Sequence, residues 1–207
     1  MTVGRTDPAF FEAKYTAAEG HDPWRFATDP YEQGRYRVLV AALGADRFER
    51  AFEPGCSIGA FTRHLAPRCR HVDAIDFAPS AIVEAERRNA DLGGVIHEVG
   101  AFPDWAVDNA CRYDLVCLVE IGYYFDADEL ATHAASVVDH MLTDDGTVLA
   151  GHWTGDSPDH VLPGVEVHDI VDSVFCRHGL VRVIDRQWHD GFVVDCWTAA
   201  DRRRPGG

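Results

Sequence analysis

This chain of 207 residues has one lysine, Lys14, and two methionines, and its 19 basic residues stand against 34 acidic ones for a net charge of −15. That shortage of positive charge argues against nucleic acid as a partner, because phosphate backbones are held by Lys and Arg. It is compatible with a cationic or neutral small molecule, although charge speaks to solubility and steering rather than to a site. No apolar run reaches the length of a membrane span, and no apolar signal core opens the chain. No membrane partner and a cytoplasmic location are therefore expected. Cys56, Cys69, Cys111, Cys117, Cys176 and Cys196 form no C-x-x-C pair, and the histidines show no H-E-x-x-H spacing. A metal site is not expected. Several of the cysteines sit in apolar strand-like runs, which reads as buried free thiols. Internal repeats and low-complexity segments are absent as well.

What is present is alternation. The length suits one domain over 1–207, divided into a helical lid over 1–48 and an α/β core over 49–200. Phe10, Phe11, Lys14 and Tyr15 have helical spacing, and Asp22-Pro23-Trp24 interrupts it. Asp29-Pro30 starts a second helix with proline at a favoured first position. Tyr31, Arg35, Val38, Leu39 and Ala42 continue that helix until Gly44. From Ala51 onward strands and helices alternate, which implies a parallel sheet covered on both faces. Strand-like runs fall at 71–76, 95–99, 113–119 and 147–152. Asp126 with Glu129 three later reads as a helix cap. Leu130, Ala134, Val137, Val138 and Met141 make the buried stripe of that helix, and another helix falls near 165–177. The runs 180–188 and 192–198 flank His189-Asp190-Gly191, a hairpin signal.

The chemistry concentrates where two strands end in acids. Glu53-Pro54-Gly55-Cys56-Ser57-Ile58-Gly59 is a strand end followed by a glycine turn into a helix, and His71-Val72-Asp73-Ala74-Ile75-Asp76 ends in a second carboxylate. In an open parallel sheet this builds a nucleoside site at the carboxyl edge: glycines admit the ligand, and the second acid can hold a ribose diol. A nicotinamide fingerprint would need G-x-G-x-x-G, and Ser57 occupies its middle glycine position. Gly55-Cys56-Ser57-Ile58-Gly59 also spells G-x-S-x-G, the nucleophile elbow of α/β hydrolases. That reading fails on what is missing upstream, where a short polar and aromatic segment offers neither the needed strands nor an oxyanion loop.

Asp22-Pro23-Trp24-Arg25-Phe26-Ala27-Thr28-Asp29-Pro30-Tyr31-Glu32-Gln33, the Glu53 to Gly59 segment, Tyr113-Asp114-Leu115 through Glu120 with Tyr123-Tyr124, and Gly151-His152-Trp153 resemble the nodulation protein S family of class I S-adenosylmethionine-dependent methyltransferases. The resemblance spans most of the chain, and its DPW and EPGCSIG segments are specific. It implies a Rossmann-like α/β fold with a mostly parallel seven-stranded sheet, a C-terminal antiparallel hairpin and an N-terminal helical lid. It implies S-adenosyl-L-methionine as cofactor and a small-molecule acceptor as partner, most simply an amine or amino sugar. O-methylation of a sugar or natural-product hydroxyl is the alternative within the class, and a non-catalytic adenosine-ligand protein the alternative outside it. Oligomeric state is left open.

The resemblance also implies roles. Gly55, Ser57 and Gly59 would line the methionine and ribose side, Glu53 would accept from the cofactor ammonium, and Asp76 would bind both ribose hydroxyls. Phe77 would pack near the adenine. Ala101 stands where the family commonly has an acid for the adenine amino group, leaving backbone atoms from Gly100 to Phe102, or Glu98, for that contact. Trp24, Tyr31 and Arg35 would close over the cofactor, with Arg35 facing the methionine carboxylate or a substrate anion.

Methyl transfer from a sulfonium is an in-line displacement that needs alignment and exclusion of water. An amine acceptor must first lose a proton, and Glu120 and His152, ending adjacent central strands, are the expected bases, His152 ahead of Glu120 because Glu120 is also an expected cofactor contact. Tyr123, Tyr124 and Trp153 would wall the acceptor pocket. His168 is a further acceptor contact, and Glu166 beside it reads first as a helix cap.

Overall fold

The computed structural model describes residues 7–199, so the outer ends of the expected lid and core, residues 1–6 and 200–207, lie outside the described residues. Two helices open the chain, α1 (Pro8–Ala17) and α2 (Pro30–Ala42), each begun by an Asp-Pro pair. Asp7 accepts from the Ala9 N–H and Asp29 from the Tyr31 N–H, both at 2.9 Å. Proline follows without loss, because the first helical N–H has no acceptor in the helix. Each such cap stabilises its helix by about 1 kcal/mol.

Then come β1 (Phe48–Pro54), α3 (Ala60–Leu65), β2 (Cys69–Asp76), α4 (Pro79–Asn89), β3 (Val95–Val99), α5 (Asp104–Asp108) and β4 (Tyr113–Val119). α6 (Ala127–Ser136), β5 (Leu142–Trp153), α7 (Gly164–Arg177), β6 (Leu180–Arg182), β7 (Gln187–His189) and β8 (Phe192–Ala199) complete the order. The sheet runs β3-β2-β1-β4-β5-β8-β6, with β7 also beside β8. The first five strands are parallel and the β8 pairings antiparallel. The expected 180–188 run is thus two short strands on one edge of β8. It breaks at 183–186, where Arg186 turns to Asp195 and Asp169. Strand order reverses between β1 and β4, and the carboxyl ends of these two strands frame a crevice in which open α/β sheets bind ligands.

Both faces of the sheet are covered, which explains why β4 from Leu115 to Val119 is apolar without alternation. One face packs Tyr36, Leu39, Phe61 and Ile82; the other packs Phe52, Tyr113, Met141, Phe175 and Trp197. Asp126 and Glu129 form the reciprocal cap at the start of α6. Leu130, Ala134, Val137 and Met141 are buried, and the last turn widens into a π turn over Val137–Met141. Between β4 and β5 the register advances two residues on one strand and five on the other, so the Asp144-Asp145-Gly146 turn is a bulge at the start of β5. Cys56, Cys117 and Cys196 are buried thiols, Cys69 and Cys111 half-buried, and Cys176, at the end of α7, exposed.

The lid needs correction. α2 is part of the sheet's cover: Leu39 presses so close to β5 that a Cβ on Gly151 would sit 2.2 Å from its Cδ2. The cover over the crevice is α1 together with the segment around Trp24 and Phe26. No helix among the described residues is long and apolar enough to cross a membrane.

Candidate active site

A cavity of about 280 Å³ opens at the carboxyl ends of β1, β2 and β4. Its floor is the turn after β1. Gly55, Ser57 and Gly59 all have positive φ, at 70°, 51° and 71°. The turn is tied to β2 twice, by Cys56 N donating to Ile75 O at 2.9 Å and by Ser57 N donating to Asp76 Oδ2 at 3.0 Å. Asp76 Oδ1 accepts from Ala78 N at 2.9 Å. The carboxylate is 7% exposed and lines the cavity. Burial raises its pKa to about 6 against the pull of the two backbone donors. Each oxygen keeps a free lone pair, so the group can still accept from two hydroxyls.

Gly55 and Ser57 line the cavity, and Gly59 does not. A Cβ on Gly59 would fall 2.3 Å from Asn89 Nδ2 and 3.1 Å from Ala85 Cβ, so this glycine serves the packing of α3 on α4. Glu53 also lies off the cavity lining. It is buried beside Thr62 with Oε2 unpartnered, and burial raises its pKa to about 8 against the Thr62 hydrogen bonds. Phe77, Gly100, Ala101 and Phe102 form one wall. The register pairs Asp76 with Val99, which places Ala101 two residues past the end of β3. Glu98 is turned away and accepts from Trp105 Nε1 at 3.1 Å.

Glu120 follows β4 with φ 55° and reaches the cavity, but its oxygens are occupied. Oε1 accepts from Trp153 N and pairs with Arg35, both at 2.8 Å; Oε2 accepts from the Tyr123 hydroxyl at 2.6 Å. Arg35 is therefore an internal partner of Glu120 and Glu32 and does not face the cavity, contrary to the sequence expectation. Burial alone would lower its pKa, and the two carboxylates outweigh this and raise it. Tyr31 is also misplaced by the sequence reading. Its hydroxyl donates to Asp190 O at 2.8 Å and its ring rests on Phe192, away from the crevice.

His152 requires the largest correction. It is 1% exposed and lies off the cavity, its Nε2 within 3.0 Å of Gly122 N and its Nδ1 within 3.1 Å of His168 Nε2. His168 Nδ1 is 2.8 Å from Asp195 Oδ2. A backbone N–H can only donate, so His152 Nε2 accepts. The protons must then sit on His152 Nδ1 and His168 Nδ1, the latter donating to Asp195. Burial pushes both imidazoles below their ordinary value, His152 far below, with Asp195 opposing the shift at His168. This chain of neutral rings leaves His152 no lone pair for an acceptor, and buried His168 cannot touch one. Glu166 is exposed in the first turn of α7, where an acid favours the helix dipole.

Trp24, Tyr123, Tyr124 and Trp153 do line the cavity. So do Phe11, Tyr15, Asp159 and His160, which the sequence reading missed. The last two lie in the irregular loop after β5, where no periodicity marks them. The available signal was position: loops leaving the carboxyl ends of central strands carry ligand contacts. Asp159 is paired with Lys14 of α1. No Lys or Arg lines the cavity among the described residues.

A left-handed glycine turn after the first strand, an acid closing the second and a crevice at the reversal of strand order define the Rossmann-like fold of class I methyltransferases. The N-methyltransferase NodS from Bradyrhizobium japonicum WM9, solved with S-adenosyl-L-homocysteine, superposes with a TM-score of 0.76 at 24% identity, over 93% of this chain and 97% of that one. Magnesium protoporphyrin IX methyltransferase from Synechocystis PCC 6803, with bound SAM, has a TM-score of 0.66 at 13% identity, over 96% and 100%. The chain belongs to the Nodulation protein S (NodS) family, whose model matches residues 14–157. Nodulation protein S of Rhizobium tropici is 32% identical over 135 residues, 63% of this chain and 54% of that protein. The match thus spans little more than half of that relative's length.

Proposed function

We propose that this chain is an S-adenosylmethionine-dependent methyltransferase acting on the nitrogen of a small polar amine. The observation that carries the reading is Asp76, a buried cavity-lining carboxylate fixed by two backbone donors with a lone pair left on each oxygen. Such a group suits a ribose diol. The absence of Lys and Arg from the described lining suits a nucleoside ligand without phosphates.

The bound cofactor supplies a methyl on a sulfonium, whose thioether leaves without acid help. The chain supplies position and dryness. Asp76 holds the ribose, and Glu53, buried behind the glycine turn and off the lining, would reach the cofactor ammonium from its unpartnered Oε2 through water. Phe77 and the backbone from Gly100 to Phe102 take the adenine. Tyr123, Tyr124 and Trp153 exclude water and present ring faces that attract a sulfonium or ammonium. Glu120, held by three donors and ion-paired with Arg35, anchors this wall rather than receiving a proton. The acceptor and a cytoplasmic setting are part of the proposal.

The test is calorimetry of S-adenosyl-L-homocysteine against NAD, followed by detection of S-adenosyl-L-homocysteine release with amine and matched hydroxyl acceptors. Micromolar binding of the nucleoside and methyl transfer to amines are expected. Tighter binding of NAD sinks the reading, and transfer to hydroxyls alone replaces it with O-methylation.

A further inference from the structure

We propose that His160 takes the proton from the acceptor ammonium before methyl transfer, an inference that rests on the methyltransferase reading above. The three carboxylates at the crevice and the other histidine beside it are committed. Glu120 is held by Arg35, Trp153 N and Tyr123; Asp76 is held by Ser57 N and Ala78 N; Asp159 is paired with Lys14; His152 faces away. His160 lines the cavity, its Nδ1 is buried without a partner, and no described residue hydrogen-bonds its Nε2. A neutral imidazole has one N–H and one bare lone pair, and the protein uses neither.

The ring is nonetheless fixed in place. It lies flat on Tyr123, with centroids 3.6 Å apart and planes 16° from parallel. Tyr123 O accepts from Val161 N at 2.8 Å and Leu162 N at 3.2 Å, which clamps the loop to the turn carrying the aromatic wall. Charged groups reach the imidazole from three directions: Glu120 after β4, Asp159 on its own loop and Lys14 on α1. Burial, with Lys14 acting in the same direction, outweighs the two carboxylates and lowers its pKa, so the ring is neutral at pH 7. An ammonium desolvated by the same aromatic wall loses basicity too, which narrows the gap between donor and base.

The step balances. An acceptor R–NH₃⁺ gives one proton to the bare imidazole nitrogen and keeps the N–H bonding pair as a lone pair. That pair forms the N–C bond to the methyl while the C–S bond breaks, its electrons staying on sulfur. The His160 imidazolium then returns its proton to solvent.

The experiment has two arms. In the first, imidazole nitrogens of the protein saturated with S-adenosyl-L-homocysteine are observed by NMR, with His160→Phe providing the assignment. A neutral His160 with one unprotonated, unbonded nitrogen at pH 7 is expected; a protonated or hydrogen-bonded ring overturns the proposal whatever the acceptor. In the second, S-adenosyl-L-homocysteine release with glucosamine is followed from pH 6 to 9 for wild type, His160→Phe, which keeps the stack, and His160→Gln. Turnover of both variants should fall about a hundredfold at pH 7, recover as the amine deprotonates unaided, and leave nucleoside affinity within twofold. A loss under threefold, or one independent of pH, overturns the proposal. Wild type that methylates neither glucosamine nor any other amine defeats the N-methyltransferase reading, and the NMR arm still decides His160.

Discussion

Replacing Gly59 by alanine separates packing from ligand contact in the glycine turn. Gly59 has φ 71° at the start of α3, and an added Cβ would meet Asn89 Nδ2 at 2.3 Å and His97 Cε1 at 3.2 Å. Asn89 cannot retreat easily. It is buried, donates to Gly59 O at 3.0 Å and lies 3.1 Å from His97 Nε2. The left-handed backbone costs an L side chain about 1–2 kcal/mol and the overpacking about 1–3 more, together about 2–5 kcal/mol. With a urea m-value of about 2 kcal/mol/M for a chain of this size, the unfolding midpoint should drop by about 1–2.5 M. Gly55→Ala is the control. It shares the positive φ, yet the three atoms nearest its Cβ all belong to the Ile121 side chain, the flexible Cδ1 first at 3.2 Å, and Ile121 lines the cavity. It should cost only the backbone penalty in stability but more in S-adenosyl-L-homocysteine affinity. Tryptophan fluorescence in urea and calorimetry read both quantities. If Gly59→Ala loses affinity while its midpoint stays put, or if the two variants rank the other way round, the assignment of Gly59 to packing is wrong.

Three further outcomes are expected. Asp76→Ala should weaken S-adenosyl-L-homocysteine binding by about 2 kcal/mol, roughly thirtyfold, the scale for hydrogen bonds to a charged group; unchanged affinity in a folded variant would reassign Asp76 to holding the turn. Glu53, with a pKa raised to about 8 by burial, is mostly protonated at pH 7 in the free protein, and a cofactor ammonium linked to it through water favours the carboxylate. Ligand binding at pH 7 should therefore release close to one proton and tighten as pH rises towards 8, so a binding heat that does not vary with buffer ionisation enthalpy would refute the pairing. The same raised value means that its contribution to the stability of the free protein is fully present below its unfolded pKa and lost as pH rises through about 8. His152→Asn should destabilise the fold by about 1–3 kcal/mol, by unpairing Gly122 N or His168 Nε2, and should leave the shape of the pH–rate profile unchanged; a turnover loss at neutral pH that recovers as pH rises would restore His152 as the base.

The residues legible in the sequence were those whose chemistry conflicts with their surroundings. Asp76 and Glu120 end apolar strands, and a buried carboxylate persists only with partners, so their positions at the crevice followed from the pattern itself. His152 shows where that reasoning stops. It ends a central strand too, but side chains alternate along a strand. Gly151 faces Leu39 of α2, so His152 must face α7 and His168 on the opposite side of the sheet. Strand position alone does not tell which face holds the ligand. Arg35 was misread for a related reason: a guanidinium on a helix can be committed to a carboxylate 85 residues away, and helical spacing carries no trace of Glu120. His160 and Asp159 were missed because the loop after β5 has no period, and only its placement at the carboxyl edge gives it meaning.

The acids of the cavity explain how so negative a chain could present a defined site. Asp76 is met by two backbone N–H groups, Glu120 by Arg35, a backbone N–H and a phenol, and Asp159 by the chain's single lysine. Each already has a protein partner, so no bare charge has to be neutralised by a ligand, and the dipoles are oriented before a ligand arrives. That order has a backbone cost. Ser57 and Glu120 both sit in the left-handed region, at the ends of neighbouring strands β1 and β4, where an L residue loses about 1–2 kcal/mol. Each is held there by the bond its neighbour makes: Ser57 N to Asp76, and Glu120 N to Gly151 O at 2.9 Å. Strain of this kind persists only where the surroundings over-determine it. Here the two strained residues flank the switch point of the sheet, so they turn the chain away from the strand direction at the place where a ligand must approach the backbone. A glycine at Glu120 would relieve the strain and lose the anchor of the aromatic wall, which is the reason a charged residue in that conformation marks the site more sharply than the glycines beside it.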